Sequence, residues 1–343
     1  LSLFVVMLGY GILLPTLPYY TERLAIKGNL DTDLINFHIG LLTSIYPFFQ
    51  LLFVVVWGKL SDKYGRKPII ICGLIGFVIM QLLTGLATSL TMLYVARIFG
   101  GVFTSAVIPV SNAYLSDITS EKRRTKVMGW SGVAISSGVI FGPVIGGFLS
   151  QTDLHLKYTI GLLHLDRFSV PFLFASLLGL IVLFVVTKWL KNTARVPKFT
   201  TQKVSLRFTF TKYFIVLLVL SFVIQFAVTL FETVFSIYGK DELAFNSNQI
   251  GIGFMLCGAI MAVLSKNNTG RNISIQSSTN SIGQILGPIL GTWMLAGSFY
   301  YPFIIAGMVV LFAIGLVYYL NQQSRGMNGA LLVGQQKKSN DGP

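Results

Sequence analysis

Two charged residues stand inside long apolar stretches of this 343-residue sequence, and they are the first candidates for chemistry. Arg97 lies in segment 90–114 and Glu232 in segment 211–237. A charge at the centre of a bilayer costs about 2.5–3.5 kcal/mol on insertion scales, so such residues usually face a bundle interior or a wet cavity. Burial favours a neutral carboxyl group and an approaching cation favours the carboxylate, so Glu232 is predicted to exchange a proton for a cation. Alternatively, both are structural charges satisfied by backbone groups or a buried partner.

The elements that carry these residues must be membrane-spanning helices. The chain is 53% hydrophobic and 11% charged, whereas a soluble domain has about 25% charged residues. A bilayer core of about 30 Å needs about 20 helical residues. The apolar segments lack the period-two alternation that is typical of a membrane β-barrel. We therefore predict an all-α polytopic membrane protein. Its ten predicted spans are 1–20, 37–57, 68–88, 90–114, 127–150, 169–190, 211–237, 248–264, 272–296 and 299–320.

The net charge of +14 is a topology signal. Of the 26 Lys and Arg residues, 20 fall in alternate connections and in the tail. The positive-inside rule places those segments in the cytoplasm, together with both termini, in a multi-pass protein of the cell membrane. Nucleic-acid binding is therefore not expected. The predicted cytoplasmic segments are 58–68, 116–126, 188–212, 265–272 and 321–343.

A glycine and proline pattern occurs twice, 145 residues apart. Small residues four apart let helix backbones approach closely, and a proline bends a helix. The recurrence predicts an internal structural repeat. The first copy contains Gly138, Gly142, Pro143 and Gly146, and the second contains Gly283, Gly287, Pro288 and Gly291.

Three motifs resemble those of the major facilitator superfamily. The connection 58–68, with Gly58, Asp62, Gly65, Arg66 and Lys67, is similar to its signature after the second helix. The stretch 94–101 around Arg97 resembles its fourth-helix arginine motif, and 138–147 resembles the fifth-helix motif associated with antiporters. The chain most resembles the drug:proton antiporter branch, which includes tetracycline exporters and Gram-positive multidrug pumps. In the seventh span, the stretch 230–233 is similar to the acidic seventh helix of those pumps.

The resemblance implies twelve helices in two six-helix halves, and the chain departs from it. The first and seventh spans start about 210 residues apart, whereas the two repeat copies lie 145 apart. About 65 residues are therefore predicted to be missing, including the family's ninth and tenth helices. The predicted domains are a six-helix half 1–190, a basic linker 191–210, a four-helix remnant 211–320 and a tail 321–343.

The architecture implied by the resemblance places a substrate cavity between the halves near the membrane midplane. Alternatively, the polar members of its predicted lining only make interhelical hydrogen bonds. The predicted lining consists of Tyr46, Gln50, Arg97, Asn112, Ser137, Gln225, Phe231, Glu232, Gln276 and Asn280. Proton coupling is assigned to Glu232, Arg97 and Asp62.

The resemblance gives Asp62 a second role. It implies that this acid meets the N-terminus of the eleventh helix, near 272–274. There an anion gains about 0.3–1 kcal/mol. A solvated loop acid is the alternative. The residues assigned to conformational change are Gly58, Asp62, Gly65, Arg66, Lys67, Gly138, Gly142, Pro143, Gly146, Gly287 and Pro288.

The sequence thus predicts proton-coupled efflux of lipophilic cationic drugs rather than an enzyme. No cofactor, metal or nucleotide site is expected, because the three histidines lack ligand spacing and no Walker motif occurs. The expected partners are a small hydrophobic substrate, protons and lipid. Two alternatives stay open: proton-linked nutrient uptake, and a non-transporting membrane protein produced by the deletion.

Overall fold

The computed structural model describes residues 1–26, 32–151, 158–160, 163–165, 167–191, 212–264, 273–295, 297, 300–309, 311–312 and 315. Side chains are described there except at 26, 32–33, 158–160, 163–165, 212–217, 260–264 and 273–280. The helices are α1 (Ser2–Ile26), α2 (Thr32–Tyr64), α3 (Arg66–Gly85), α4 (Leu90–Thr104), α5 (Val107–Ile118), α6 (Glu121–Gln151), α7 (Val170–Trp189), α8 (Lys212–Asp241), α9 (Ser247–Leu264) and α10 (Ile273–Leu295). Strands β1 (Tyr158–Ile160) and β2 (Leu163–Leu165) pair antiparallel.

Seven stretches of the described chain are helical, long and apolar enough to cross a membrane, which confirms a polytopic all-α architecture. Six are α1, α2, α3, α6, α7 and α8, and the seventh is Leu90–Ile118, which joins α4 and α5. The described parts of the last two predicted spans, Ser281–Leu295 and Tyr300–Val309, are shorter apolar helices. We call α1–α7 the first half and the helices from α8 onward the second half.

The structure departs from the predicted spans in two places. The segment 58–68 is not a loop, because α2 continues to Tyr64 and α3 begins at Arg66. Gly65 alone separates them, with a φ of 98° that only glycine adopts without strain. The fourth span is interrupted after Thr104 and resumes at Val107. Pro109 explains the break, because it lacks the N–H that would bond the carbonyl four residues earlier.

The two glycine patterns pack in the same way, each against the first helix of its own half. A Cβ on Gly138 or Gly146 of α6 would contact the α1 carbonyl oxygens of Phe4 or Ile12 at 2.6 Å. In the second half, a Cβ on Gly283 of α10 would lie 3.1 Å from the Phe222 oxygen of α8. Small residues thus let both helix pairs approach at backbone distance. The internal repeat is confirmed.

The two glycine seams, α6 on α1 and α10 on α8, show by their packing register how many residues shorter the second half is. Gly138 meets Phe4, and its counterpart Gly283 meets Phe222. The receiving residues lie 218 positions apart and the glycines 145 apart, a difference of about 73 positions. This exceeds the predicted 65, because packing register locates equivalent positions and the predicted span starts do not.

The bundle has two ends, named here by their contents. The hairpin end carries β1–β2, the end of α1 and the start of α2, and the motif end carries Gly65 between α2 and α3. At the hairpin end the halves touch: a Cβ on Gly147 of α6 would lie 2.5 Å from the Ser247 oxygen of α9. At the motif end, a Cβ on Gly58, Gly129 or Gly132 would have no described atom within 4 Å.

Candidate functional site

Arg97 lies in the middle of α4 and is 6% exposed. Its Nε donates a hydrogen bond to the Leu42 carbonyl oxygen of α2 at 3.0 Å. Its guanidinium stacks over the Tyr46 ring, with Cζ 4.4 Å from the ring centroid. The backbone and an aromatic face therefore hold this buried cation, which partly supports the structural alternative for Arg97.

Thr104, which sequence reasoning missed, links Tyr46, the ring under Arg97, to Gln50. The hydroxyls of Tyr46 and Thr104 share a hydrogen bond of 2.7 Å, and Gln50 Nε2 donates to Thr104 Oγ1 at 3.2 Å. Thr104 also donates to the Gly100 oxygen at 2.6 Å. Thr104 follows Arg97 by seven residues and so shares its helix face. The seven-residue spacing from Arg97 could have identified Thr104 from the sequence.

Tyr10 of α1 was also missed. Its ring centroid is 6.4 Å from that of Tyr46. Arg97 and Glu232 of α8 both interact with it electrostatically. Tyr10 therefore connects the two charges that the sequence singled out.

Glu232 sits where α8 docks on α1. One turn further on, the Ser236 hydroxyl donates to the backbone carbonyl oxygens of Glu232 at 2.9 Å and of Leu14 in α1 at 3.2 Å. Beside it, Phe231 stacks on Phe235 with ring centroids 5.4 Å apart. The acid is thus half-buried at the junction of the halves, next to an aromatic pair.

The other predicted lining residues are placed elsewhere or lie outside the described side chains. Asn112 accepts a hydrogen bond from Ser131 Oγ at 2.5 Å, which links α5 to α6. Ser137 is half-buried on α6, and Gln225 lies on α8 against Gly283 of α10. Gln276 and Asn280 belong to α10, but their side chains are outside the described part.

At the motif end, Arg66 bonds three polar side chains. It pairs with Asp62 at 2.6 Å and with Asp117 of α5 at 3.0 Å, and its Nη1 donates to Ser61 Oγ at 2.5 Å. Lys67 donates to the Thr187 oxygen of α7 at 2.9 Å. These contacts stay within the first half. The predicted partner of Asp62, the start of the eleventh helix near 272–274, lies outside the described side chains.

At the hairpin end, polar contacts cross between the halves. Lys240 of α8 pairs with Glu22 of α1 at 3.0 Å and with its neighbour Asp241 at 2.9 Å. The Tyr19 hydroxyl donates to the Phe245 oxygen, and Ser247 Oγ donates to the Pro15 oxygen at 3.1 Å. The ion pair of Glu22 could not be predicted, because its partner is more than 200 residues away in the sequence.

Comparison with known proteins agrees with this architecture. Residues 1–266 match the family model described as Major Facilitator Superfamily. The chain is 26% identical to multidrug resistance protein 2 of Bacillus subtilis, over 92% of each chain. It is 29% identical to the class B tetracycline resistance protein of Escherichia coli, over 77% of this chain and 63% of that one. The human organic anion transporter MFSD10 shares the fold, with a TM-score of 0.63 at 18% identity over 92% of this chain and 96% of that one.

The alignment with the Bacillus subtilis relative also bears on the shortened second half. It runs over 390 positions, more than the 343 residues of this chain, so the relative contains residues without a counterpart here. This agrees with the offset between the two glycine seams. With residues 1–266 matched by the family model and both seams in one register, the chain belongs to the Major Facilitator Superfamily.

Proposed function

We propose that this protein exports lipophilic, cationic drugs across the cell membrane in exchange for protons. The observation that carries the proposal is the position of Glu232, half-buried at the junction of the halves and within electrostatic reach of Tyr10, which Arg97 also reaches. Its relatives named as multidrug and tetracycline resistance proteins support the substrate class. The matched region spans 63% of the tetracycline resistance protein, so the resistance named for these relatives supports only the proposed substrate class.

The exchange follows from the cost of burying charge. In an apolar site a carboxyl group keeps its proton unless a cation compensates the carboxylate. A lipophilic cation that enters beside Phe231 and Phe235 therefore displaces the proton of Glu232. Release of the drug on the far side leaves an uncompensated carboxylate, which takes up a proton again. Each cycle moves one cation outward and one proton inward.

Alternating access gives this exchange a direction. The described basic connections 58–68 and 116–126 lie at the motif end, so we place that end and both termini in the cytoplasm. With this orientation, the described contacts between the halves lie on the outer side, which supports our assignment of an inward-facing state. Maleimide labelling of single cysteines at Ser120 and Asn246, in a background without Cys72 and Cys257, tests this orientation. Labelling of Ser120→Cys from outside the cell would overturn it.

The proposed domains follow the same scheme. We assign 1–190 to the six-helix half, 191–210 to a basic linker on the anionic inner leaflet, 211–320 to the shortened half and 321–343 to a cytoplasmic tail. The family's ninth and tenth helices are the segment that we propose is absent.

The test is ethidium efflux and drug-induced proton release. Glu232→Gln keeps the volume of the side chain but cannot release a proton, so it should abolish uphill efflux and proton release while retaining downhill exchange of a neutral substrate. Arg97→Ala should abolish transport without preventing membrane insertion. Glu242→Gln makes the same chemical change at an exposed acid and should leave efflux at the wild-type level. Proton release from Glu232→Gln equal to wild type would refute the coupling role.

The shortened second half favours one alternative function. A chain that lacks about 73 positions between its two seams could be a non-transporting membrane protein. A version with the missing segment of a full-length relative restored separates the two functions. Efflux by both versions supports transport by this chain, whereas efflux by the restored version alone supports the non-transporting alternative.

A further inference from the structure

The guanidinium of Arg97 faces a small cavity inside the first half, between α1, α2, α3 and α4. Its volume is about 20 Å³. A single water needs about 10–15 Å³ of cavity volume. The cavity is therefore larger than one water needs and too small for a polyatomic ligand. Its polar lining consists of Tyr10, Tyr46, Gln81, Thr84, Arg97 and Thr104.

The cavity contains unused hydrogen-bond donors. Arg97 Nη2 is buried and has no hydrogen-bond partner among the described residues. The hydroxyls of Tyr46 and Thr104 bond each other, and Thr84 donates to the Met80 oxygen at 2.8 Å. In the described part of the chain, the Tyr10 hydroxyl and the Gln81 amide have no hydrogen bond either. Three donor groups from three helices thus line one cavity.

The cavity also lacks a negative charge to match the arginine. Arg97 interacts electrostatically with Tyr46 and Tyr10, and no described carboxylate pairs with it. Glu232 acts on Tyr10 from the second half. A buried cation without a partner is costly, and an anion within hydrogen-bond reach removes most of that cost.

We propose that this cavity binds one monatomic anion of the chloride class, held by Arg97 Nη2, the Tyr10 hydroxyl and the Gln81 amide. The anion neutralises the arginine inside the membrane and ties α1, α3 and α4 together. The site lies within the first half and shares Arg97 and Tyr10 with the proposed transport machinery, but its test reads anion-dependent stability, so it can fail or succeed separately from drug transport.

The test measures the thermal unfolding midpoint of the purified full chain at constant ionic strength, with chloride replaced stepwise by gluconate. Because only the folded chain contains the site, chloride should raise the midpoint as its concentration rises. Bromide should act similarly, and iodide and sulfate should act less because they exceed the cavity. Equal midpoints in chloride and gluconate would overturn the proposal.

Substitutions locate the effect. Gln81→Leu removes one donor to a charged group and should weaken the apparent chloride affinity by about 10- to 150-fold. Gln284→Leu makes the same change on α10 outside the cavity and should leave the affinity unchanged. Arg97→Gln should abolish the dependence. If that variant does not fold, Gln81→Leu and Tyr10→Phe decide: unchanged chloride affinity in both would mean that the cavity contains water or that the ion binds elsewhere.

Discussion

The two ends of the bundle are held in different ways. At the hairpin end, Glu22 of α1 pairs with Lys240 of α8, and Ser247 of α9 donates to the Pro15 carbonyl oxygen of α1. Gly147 of α6 lies against the start of α9. At the motif end, Arg66 and Lys67 bond residues of α2, α5 and α7, all in the first half. The described contacts therefore join the halves at one end and leave them unjoined at the other.

This difference indicates which contacts must break for the halves to separate at the hairpin end. Contacts that cross between the halves oppose separation of the hairpin end. The ion pairs around Arg66 brace the first half and do not oppose that movement. Among the described residues, the contacts of the most recognisable motif in the sequence lie within the first half. Substitutions at the two ends should have unequal effects, which the following predictions test.

The largest effect is expected from a matched pair of glycine substitutions. A Cβ on Gly251 of α9 would overlap the Pro143 carbonyl oxygen of α6, whereas a Cβ on Gly129 would have no described atom within 4 Å. Gly251→Ala should destabilise the protein by about 1–3 kcal/mol through overpacking. Gly129→Ala should be neutral or raise stability by up to about 1 kcal/mol, because alanine favours the helix. Thermal unfolding of the purified variants measures both, and equal losses would contradict the proposed difference between the ends.

A smaller effect is expected from the charged contact at the hairpin end. Lys240→Met leaves Glu22 without its partner and should favour opening of that end. Because Glu22 is 38% exposed, the pair contributes about 0.2–1 kcal/mol, which corresponds to an increase of up to about fivefold in maleimide labelling of Ser247→Cys. Lys188→Met at the motif end is the matched control. A labelling rate unchanged by Lys240→Met would show that this pair does not hold the halves.

The smallest effect is expected at the motif end. Asp62 is 69% exposed, and Arg66 retains Asp117 and Ser61 when Asp62 is removed. Asp62→Asn should therefore change stability by less than about 0.5 kcal/mol, as is usual for exposed ion pairs. A large fall in the unfolding midpoint would mean that Asp62 already contacts the second half in this conformation.

Much of the architecture could be predicted because the membrane imposes long apolar segments. The start and end of α9 and α10 agree with the predicted segments to within one residue. The break after Thr104 was missed, although Pro109 signals it, because hydropathy averages over a single proline. The continuation of α2 through Gly58 was missed because a charged segment resembles a loop in hydropathy, while its backbone still forms helical hydrogen bonds.

The candidate site was predicted in part. Arg97 and Glu232 stand out because charges in apolar segments are costly. Tyr10 and Thr104 do not stand out, since tyrosine and threonine are common in membrane helices and only their neighbours give them a role. Gln225 and Asn112 had the expected polarity, but the structure places them beside α10 and Ser131.

By itself the sequence determined the membrane architecture, the repeat, the family resemblance and the two buried charges, since each is a local pattern or a local energetic cost. Only the tertiary structure decided that Arg97 and Glu232 both act on Tyr10, that Lys240 reaches Glu22, and that the described contacts between the halves include those at the hairpin end. These contacts join residues up to about 220 positions apart in the chain. Packing between helices sets them, and no spacing along a single helix encodes which neighbour it will have.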